Sequence, residues 1–148
     1  MRPKQHIILG LIFAAVFLLL FPQIGWTGFL IIILSSVLID VDHYLFYVWY
    51  KKDYSLRNSY RWFVKKDMEF RNLSKKQKKK IKFFPIILHG LEALFILIIL
   101  SFFSKIFLYI LVGFLFHGFL DIIYLIYGGY SLKHSGSQIY NILNYTNS

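Results

Sequence analysis

The chain has no cysteine, which excludes a disulfide framework and any thiolate metal site. It has no Gly-rich phosphate loop, no nucleophile elbow and no kinase signature. Acidic residues are scarce, seven against 17 Lys and Arg. Charged residues make up only 16% of the 148 positions and hydrophobic ones 57%, against about 25% and about 45–50% in globular proteins. A soluble fold of this length cannot hide that much apolar surface, so the composition predicts an integral membrane protein.

What is present is four apolar runs, at about residues 6–21, 24–39, 83–103 and 106–127. The last two have the roughly 20 residues a spanning helix needs, and the first two sit near the lower limit of roughly 17. The pattern predicts one all-α membrane domain over 1–148, with four transmembrane helices and a hairpin turned at Pro22 and Gln23. Arg2 and Lys4 precede the first run as they would in a signal peptide. No small-x-small cleavage site follows it (Pro22-Gln23-Ile24-Gly25-Trp26), so this helix is expected to be retained.

Charge is concentrated in one place. Thirteen of the 17 basic residues lie between Lys51 and Lys82, and the remaining tail holds only Lys133. The positive-inside rule therefore places both termini and the loop at about 44–82 in the cytoplasm of a multi-pass inner-membrane protein. Tyr44 to Tyr50 is aromatic and suits the interface. Tyr54 to Phe70 mixes aromatic and basic residues, as does a helix lying in the headgroup layer. The run Lys75 to Lys82 abuts a membrane helix, so anionic lipid, at about 1 kcal/mol per residue, is favoured over nucleic acid as its partner.

Polar residues occur where a bilayer disfavours them. Asp40, Asp42, Glu92 and Asp121 lie in or at the ends of apolar runs, as do His6, His43, His89 and His117. A carboxylate at mid-bilayer costs about 2.5–3.5 kcal/mol, and almost no Lys or Arg lies within the runs to offset it. A bound cation would supply the missing charge. Asp40 and His43, His89 and Glu92, and His117 and Asp121 are spaced three or four apart, so each pair projects from one helix face. Facing helices build metal sites from such pairs. The topology also brings all of these residues to the cytoplasmic leaflet. Imidazole and carboxylate without sulfur suit zinc, iron, manganese or nickel better than copper(I). Seven or eight candidates exceed one tetrahedral zinc site, so either some orient the ligands or two metals lie about 3.5–4 Å apart. Gly90 and Gly118, each just after a histidine, are expected to let neighbouring helices approach closely. His134 sits in a polar tail and is given no role.

At these residues the chain resembles the YdjM-type family of LexA-binding, inner-membrane-associated, metal-dependent hydrolases. His6 takes the place of that family's early histidine. Asp40-Val41-Asp42-His43 matches its Pro-Asp-(Ile/Leu)-Asp-His block, with Ile39 where proline is usual. His89 opens the third motif and His117 to Asp121 is the His-x-x-x-Asp block. The third motif departs from the family pattern: Leu88-His89-Gly90-Leu91-Glu92 lacks its arginine, threonine and serine. No residue of this chain bears on LexA binding. The resemblance implies a metal-dependent hydrolase.

Together these features predict a metal site of His6, Asp40, His43, His89, His117 and Asp121, with zinc foremost and iron or manganese next. Glu92 or Asp42 would be the general base or an orienting partner. The depth of the site suggests a lipid-like substrate carrying a phosphate or ester. Two alternatives stand beside this one: a metal or proton transporter, and a non-enzymatic anchor that uses the basic loop.

Overall fold

A computed structural model describes residues 3–81, 84, 86–132 and 136–146. Arg2, Lys82, Lys133 and His134, named above, lie outside them, as does the first residue of the run at 83–103. The described residues form helices and turns, without a strand. The helices are α1 (Pro3–Leu20), α2 (Gly25–Leu38), α3 (Val41–Lys51), α4 (Leu56–Arg71), α5 (Lys75–Lys78), α6 (Leu91–Ser101), α7 (Lys105–Gly128) and α8 (Gln138–Thr146).

Two segments are long and apolar enough to cross a membrane: Pro22–Lys51, which includes α2 and α3, and α7. The helices α1 and α6 are apolar but shorter. The difference from expectation is largest at α6. A helix was predicted over 83–103, but α6 begins only at Leu91 and has 11 residues, about 16 Å at 1.5 Å per residue. Gly90 before it is extended (φ −93°, ψ 161°), and Ile87–His89 form a 3₁₀ turn. Side chains satisfy this irregular backbone. The Ile86 N–H donates to Gln138 Oε1 at 3.2 Å and the Leu88 N–H to Asp42 Oδ2 at 2.9 Å. Non-helical backbone among apolar helices is tolerated where protein groups complete its hydrogen bonds.

A second break separates α2 from α3. Around Asp40 the chain tightens to i→i+3 bonds, with Asp40 N–H to the Val37 carbonyl at 3.2 Å and His43 N–H to the Asp40 carbonyl at 3.1 Å. Tightening rotates the following side chains relative to a straight helix. It turns Asp42 inward, where it is buried, beside Asp40 and His43.

The amphipathic helix expected at 54–70 is α4. Ser55 caps it, accepting from the Asn58 N–H at 3.3 Å. Its Trp62 and Phe63 pack on Phe84, and Trp62 also meets Phe46 of α3. At the α3–α4 corner, Asp53 accepts from the Tyr47 hydroxyl, the Ser55 N–H and the Asn58 amide. These donors, Tyr47 first, hold its carboxyl below the usual carboxylate range.

α2 lies between α1 and α7, and α6 packs on α7. Ala14, Ile24 and Ile32 form the buried core, with Phe13, Phe17, Tyr109 and Val112 around it. Gly113 of α7 is a point of close helix approach. A Cβ there would lie 2.8 Å from the Ile32 carbonyl oxygen and 3.0 Å from the Ser36 nitrogen, so backbone meets backbone, as small residues allow between apolar helices. Gly118 does not serve this purpose, contrary to expectation, because nothing lies within 4 Å of its Cβ position. Gly90 packs against Gln138 of α8, with a Cβ position 2.6 Å from Gln138 Cγ. Much of the apolar surface faces outward, including Trp26, Leu19 and Phe102 at 72%, 79% and 83% exposure.

The two glycines should therefore respond oppositely to substitution. Gly113→Val forces α2 and α7 apart and should cost about 1–3 kcal/mol. Gly118→Ala meets nothing and should be neutral or stabilising by up to about 1 kcal/mol. Thermal unfolding of the two variants in lipid discs checks the pair. Equal destabilisation would show the glycine contacts to be misassigned.

Candidate metal centre

Four parts of the chain converge on one point. His6 comes from the start of α1. Asp40, Asp42 and His43 come from the α2–α3 break, His89 from the 3₁₀ turn before α6, and His117 and Asp121 from the middle of α7.

His117 is fully buried, and its Nδ1 lies 2.8 Å from the Ser36 carbonyl oxygen. A carbonyl only accepts, so Nδ1 carries a proton and Nε2 is the ring atom left to face the cluster. The His89 Nδ1 lies 3.0 Å from Asp42 Oδ2, the oxygen that also accepts the Leu88 N–H. That carboxylate fixes the His89 tautomer in the same sense, as outer carboxylates do for metal-binding histidines. Both Nε2 atoms therefore turn inward, and they stand 3.1 Å apart. At that distance either a ring proton or a metal ion lies between them.

Two carboxylates complete the set. Asp40 Oδ1 is 3.5 Å from His89 Nε2 and 3.6 Å from His117 Nε2. Asp121 Oδ2 is 3.7 Å from His89 Nε2 and 3.1 Å from His117 Nε2. Zinc bonds to nitrogen and oxygen are about 2.0–2.2 Å, which sets tetrahedral ligand atoms about 3.3–3.6 Å apart. These five separations bracket that value; His89, His117 and Asp121 form one donor group able to hold an ion, and Asp40 shares a group with each of the two histidines.

The other two predicted ligands flank this group. His6 stacks on His117, ring centroids 4.0 Å apart, and its Nε2 lies 3.3 Å from Asp121 Oδ1. Asp121 thus offers one oxygen to each side. The His43 Nδ1 is 3.4 Å from Asp40 Oδ1 and 3.2 Å from Asp42 Oδ1. Three overlapping donor groups able to hold a metal result: His6, Asp40 and His117; Asp40, His43 and His89; and His89, His117 and Asp121. All six predicted ligands fall in at least one.

The predicted roles of the remaining two residues separate. Asp42 is 6% exposed and committed to His89 and Leu88, so it orients a ligand. Glu92 points elsewhere. It accepts the Ser137 hydroxyl, the Gln138 N–H at 3.0 Å and the Ile139 N–H at 3.3 Å. It therefore caps α8 and belongs to none of the donor groups. The spacing to His89 misled because Gly90 interrupts the helix that was to carry both. Sequence reasoning missed the Ser36 carbonyl. The one available signal was a pair of serines, Ser35-Ser36, inside a run of isoleucine and leucine.

Two cavities of about 310 Å³ each open on either side of the centre. One is bordered by α4 and includes Lys66, Asp67 and Tyr60. The other is a largely apolar groove between α6 and α7. His43 and Tyr124 line both. No family model, no curated protein and no solved structure matches the chain.

Metal content per chain tests the centre. Wild type purified in detergent should hold at least one divalent ion, and the His117→Ala, Asp121→Ala double variant should hold none. Asp42→Asn, which leaves every ligand in place, should weaken metal affinity by about 10–100-fold. Wild-type protein that stays folded and binds no added zinc, iron or manganese would show the cluster to be a proton-linked histidine network.

Proposed function

We propose that this protein is a membrane-embedded, metal-dependent hydrolase. The observation that carries the reading is the pair of inward Nε2 atoms of His89 and His117, 3.1 Å apart, held between Asp40 and Asp121. α1 and the stretch 86–101, in which the extended and 3₁₀ residues 86–90 lengthen α6 toward the about 30 Å of a bilayer core, join the two longer segments as spans, with both termini and the 44–82 segment on the cytoplasmic side. The loop charge supports this orientation. The family resemblance agrees with it, and zinc suits the donor set best.

A divalent ion held there supplies Lewis acidity and a hydroxide nucleophile at neutral pH. The chain supplies the rest. His89, His117, Asp40 and Asp121 hold the ion. The Ser36 carbonyl and Asp42 keep the two imidazoles in the metal-binding tautomer. His43 is the residue placed to move protons. It is 30% exposed, stands beside both carboxylates at the α2–α3 break and lines both cavities. It takes the general acid–base role that the sequence had pointed toward Glu92 or Asp42.

Transport is less well supported. Among the described residues, the buried polar side chains of α1, α2 and α7 are His6, Ser35, Ser36 and His117. The two serines bond back to their own helix, so they do not extend a polar path.

The test is hydrolysis of a panel of phosphate and carboxylate esters in lipid discs. His117→Ala should abolish turnover together with metal. His43→Gln should retain metal and lose about 10²–10⁴-fold in kcat. Full activity in His117→Ala would refute the reading.

A further inference from the structure

We infer that the groove between α6 and α7 holds the hydrocarbon chain of an amphiphile whose phosphate ester group lies at the metal centre. The inference rests on the hydrolase reading and names its substrate class. The groove is lined by Leu91 and Leu94 of α6 and by Leu115, Gly118, Phe119 and Ile122 of α7, and His89 and Asp121 also line it. A largely apolar trough whose few polar walls belong to the His and Asp cluster matches a molecule with one long apolar part and one reactive polar end. Its volume of about 310 Å³ lies at the lower end of the about 300–1,000 Å³ typical of ligand sites.

Gly118 provides the second, independent observation. A glycine inside a helix destabilises it relative to alanine and calls for a local reason. Gly113, five residues earlier, has one, because two backbones touch there. Gly118 touches nothing within 4 Å of its Cβ position. It follows His117 directly and lines the groove. The missing side chain leaves room beside the centre, where the first carbons of a chain would lie if its head were at the ion.

Charge selects the head. The segment from Lys51 to Lys82 carries thirteen basic residues against Asp53, Asp67 and Glu69. Lys66 lines the cavity on the other side of the centre. An anionic head is drawn to this side, and a phosphate oxygen is a ligand that hard or borderline divalent ions accept. A neutral or cationic head gains nothing from either feature.

The experiment uses the full chain in phosphatidylcholine discs and a dodecyl phosphate bearing a diazirine at mid-chain. After irradiation, adducts should concentrate in peptides covering 91–94 and 115–122. Gly118→Phe, which fills the groove, should reduce them by about tenfold. Leu94→Trp, from the opposite wall, should do the same with α7 untouched. Dodecyltrimethylammonium with the same diazirine should label the groove weakly. Equal labelling by the two probes would overturn the phosphate end. Adducts spread evenly over all lipid-facing helices, or unchanged in both variants, would overturn the groove. Displacement of the alkyl probe by inorganic phosphate at equal concentration would show that the chain adds nothing. Metal content is read on the same samples. Metal with even labelling sinks this inference and leaves the hydrolase reading. Groove labelling without metal sinks the hydrolase reading and the phosphate end with it.

Discussion

The Nε2 atoms of His89 and His117 face each other across 3.1 Å, so either a ring proton or a cation lies between them. Each ring already donates its other proton outward, His117 to a backbone carbonyl and His89 to Asp42. A single extra proton satisfies one line between two nitrogens. A divalent ion satisfies those nitrogens and the two carboxylates beside them at once. The local dielectric sharpens the choice: carboxylates away from water attract a cation far more strongly than they would at a surface. The α2–α3 break, α7 and the 3₁₀ turn before α6 hold these four groups together.

That arrangement depends on two places where the chain is not a regular helix. A straight helix through residues 39 and 40 would leave Asp42 out of phase with Asp40 and His43. The i→i+3 tightening brings all three to the centre. A straight helix through 86–90 would carry the Leu88 N–H back into its own ladder. Released, it donates to Asp42, so one carboxylate fixes both a ring and the backbone that carries that ring. Gly113 contributes from the other side. Without a Cβ it lets α7 lie against the Ile32 and Ser36 backbone, which sets the Ser36 carbonyl within reach of His117 one turn further along α7.

The parts of this structure that were legible from sequence are those where composition alone decides. Runs of Ile, Leu and Phe foretold α1, α2 and α7 to within a residue or a few, and the Tyr54–Phe70 mixture foretold α4. The six His and Asp positions that converge were legible because such residues are costly among apolar ones. The polar roles of Asp42 and Glu92 were not. Spacing of three residues implies a shared face only if the helix is continuous, and Gly90 breaks it between His89 and Glu92. The Ser36 contact was illegible for a different reason: its functional atom is a backbone carbonyl, which no residue type announces. Gly118 was visible but misread. A glycine beside a histidine is equally consistent with a close helix contact and with an open groove, and only the position of the neighbouring helix separates the two.

The basic segment and the metal centre are physically joined. Tyr124 of α7, one turn beyond Asp121, donates its hydroxyl to Asp67 of α4 at 2.5 Å, and Arg71 holds the same carboxylate at 3.0 Å. Burial raises the pKa of Asp67, but the Tyr124 and Arg71 contacts outweigh it and hold the carboxyl below its ordinary value. The carboxylate is therefore charged, and the link intact, throughout the neutral range. It ties the amphipathic α4 to the helix that supplies His117 and Asp121. An anionic surface that attracts the basic residues of α4 therefore also bears on one wall of the cavity that opens to the centre. Mechanical coupling between α4 and α7 thus follows from one short hydrogen bond.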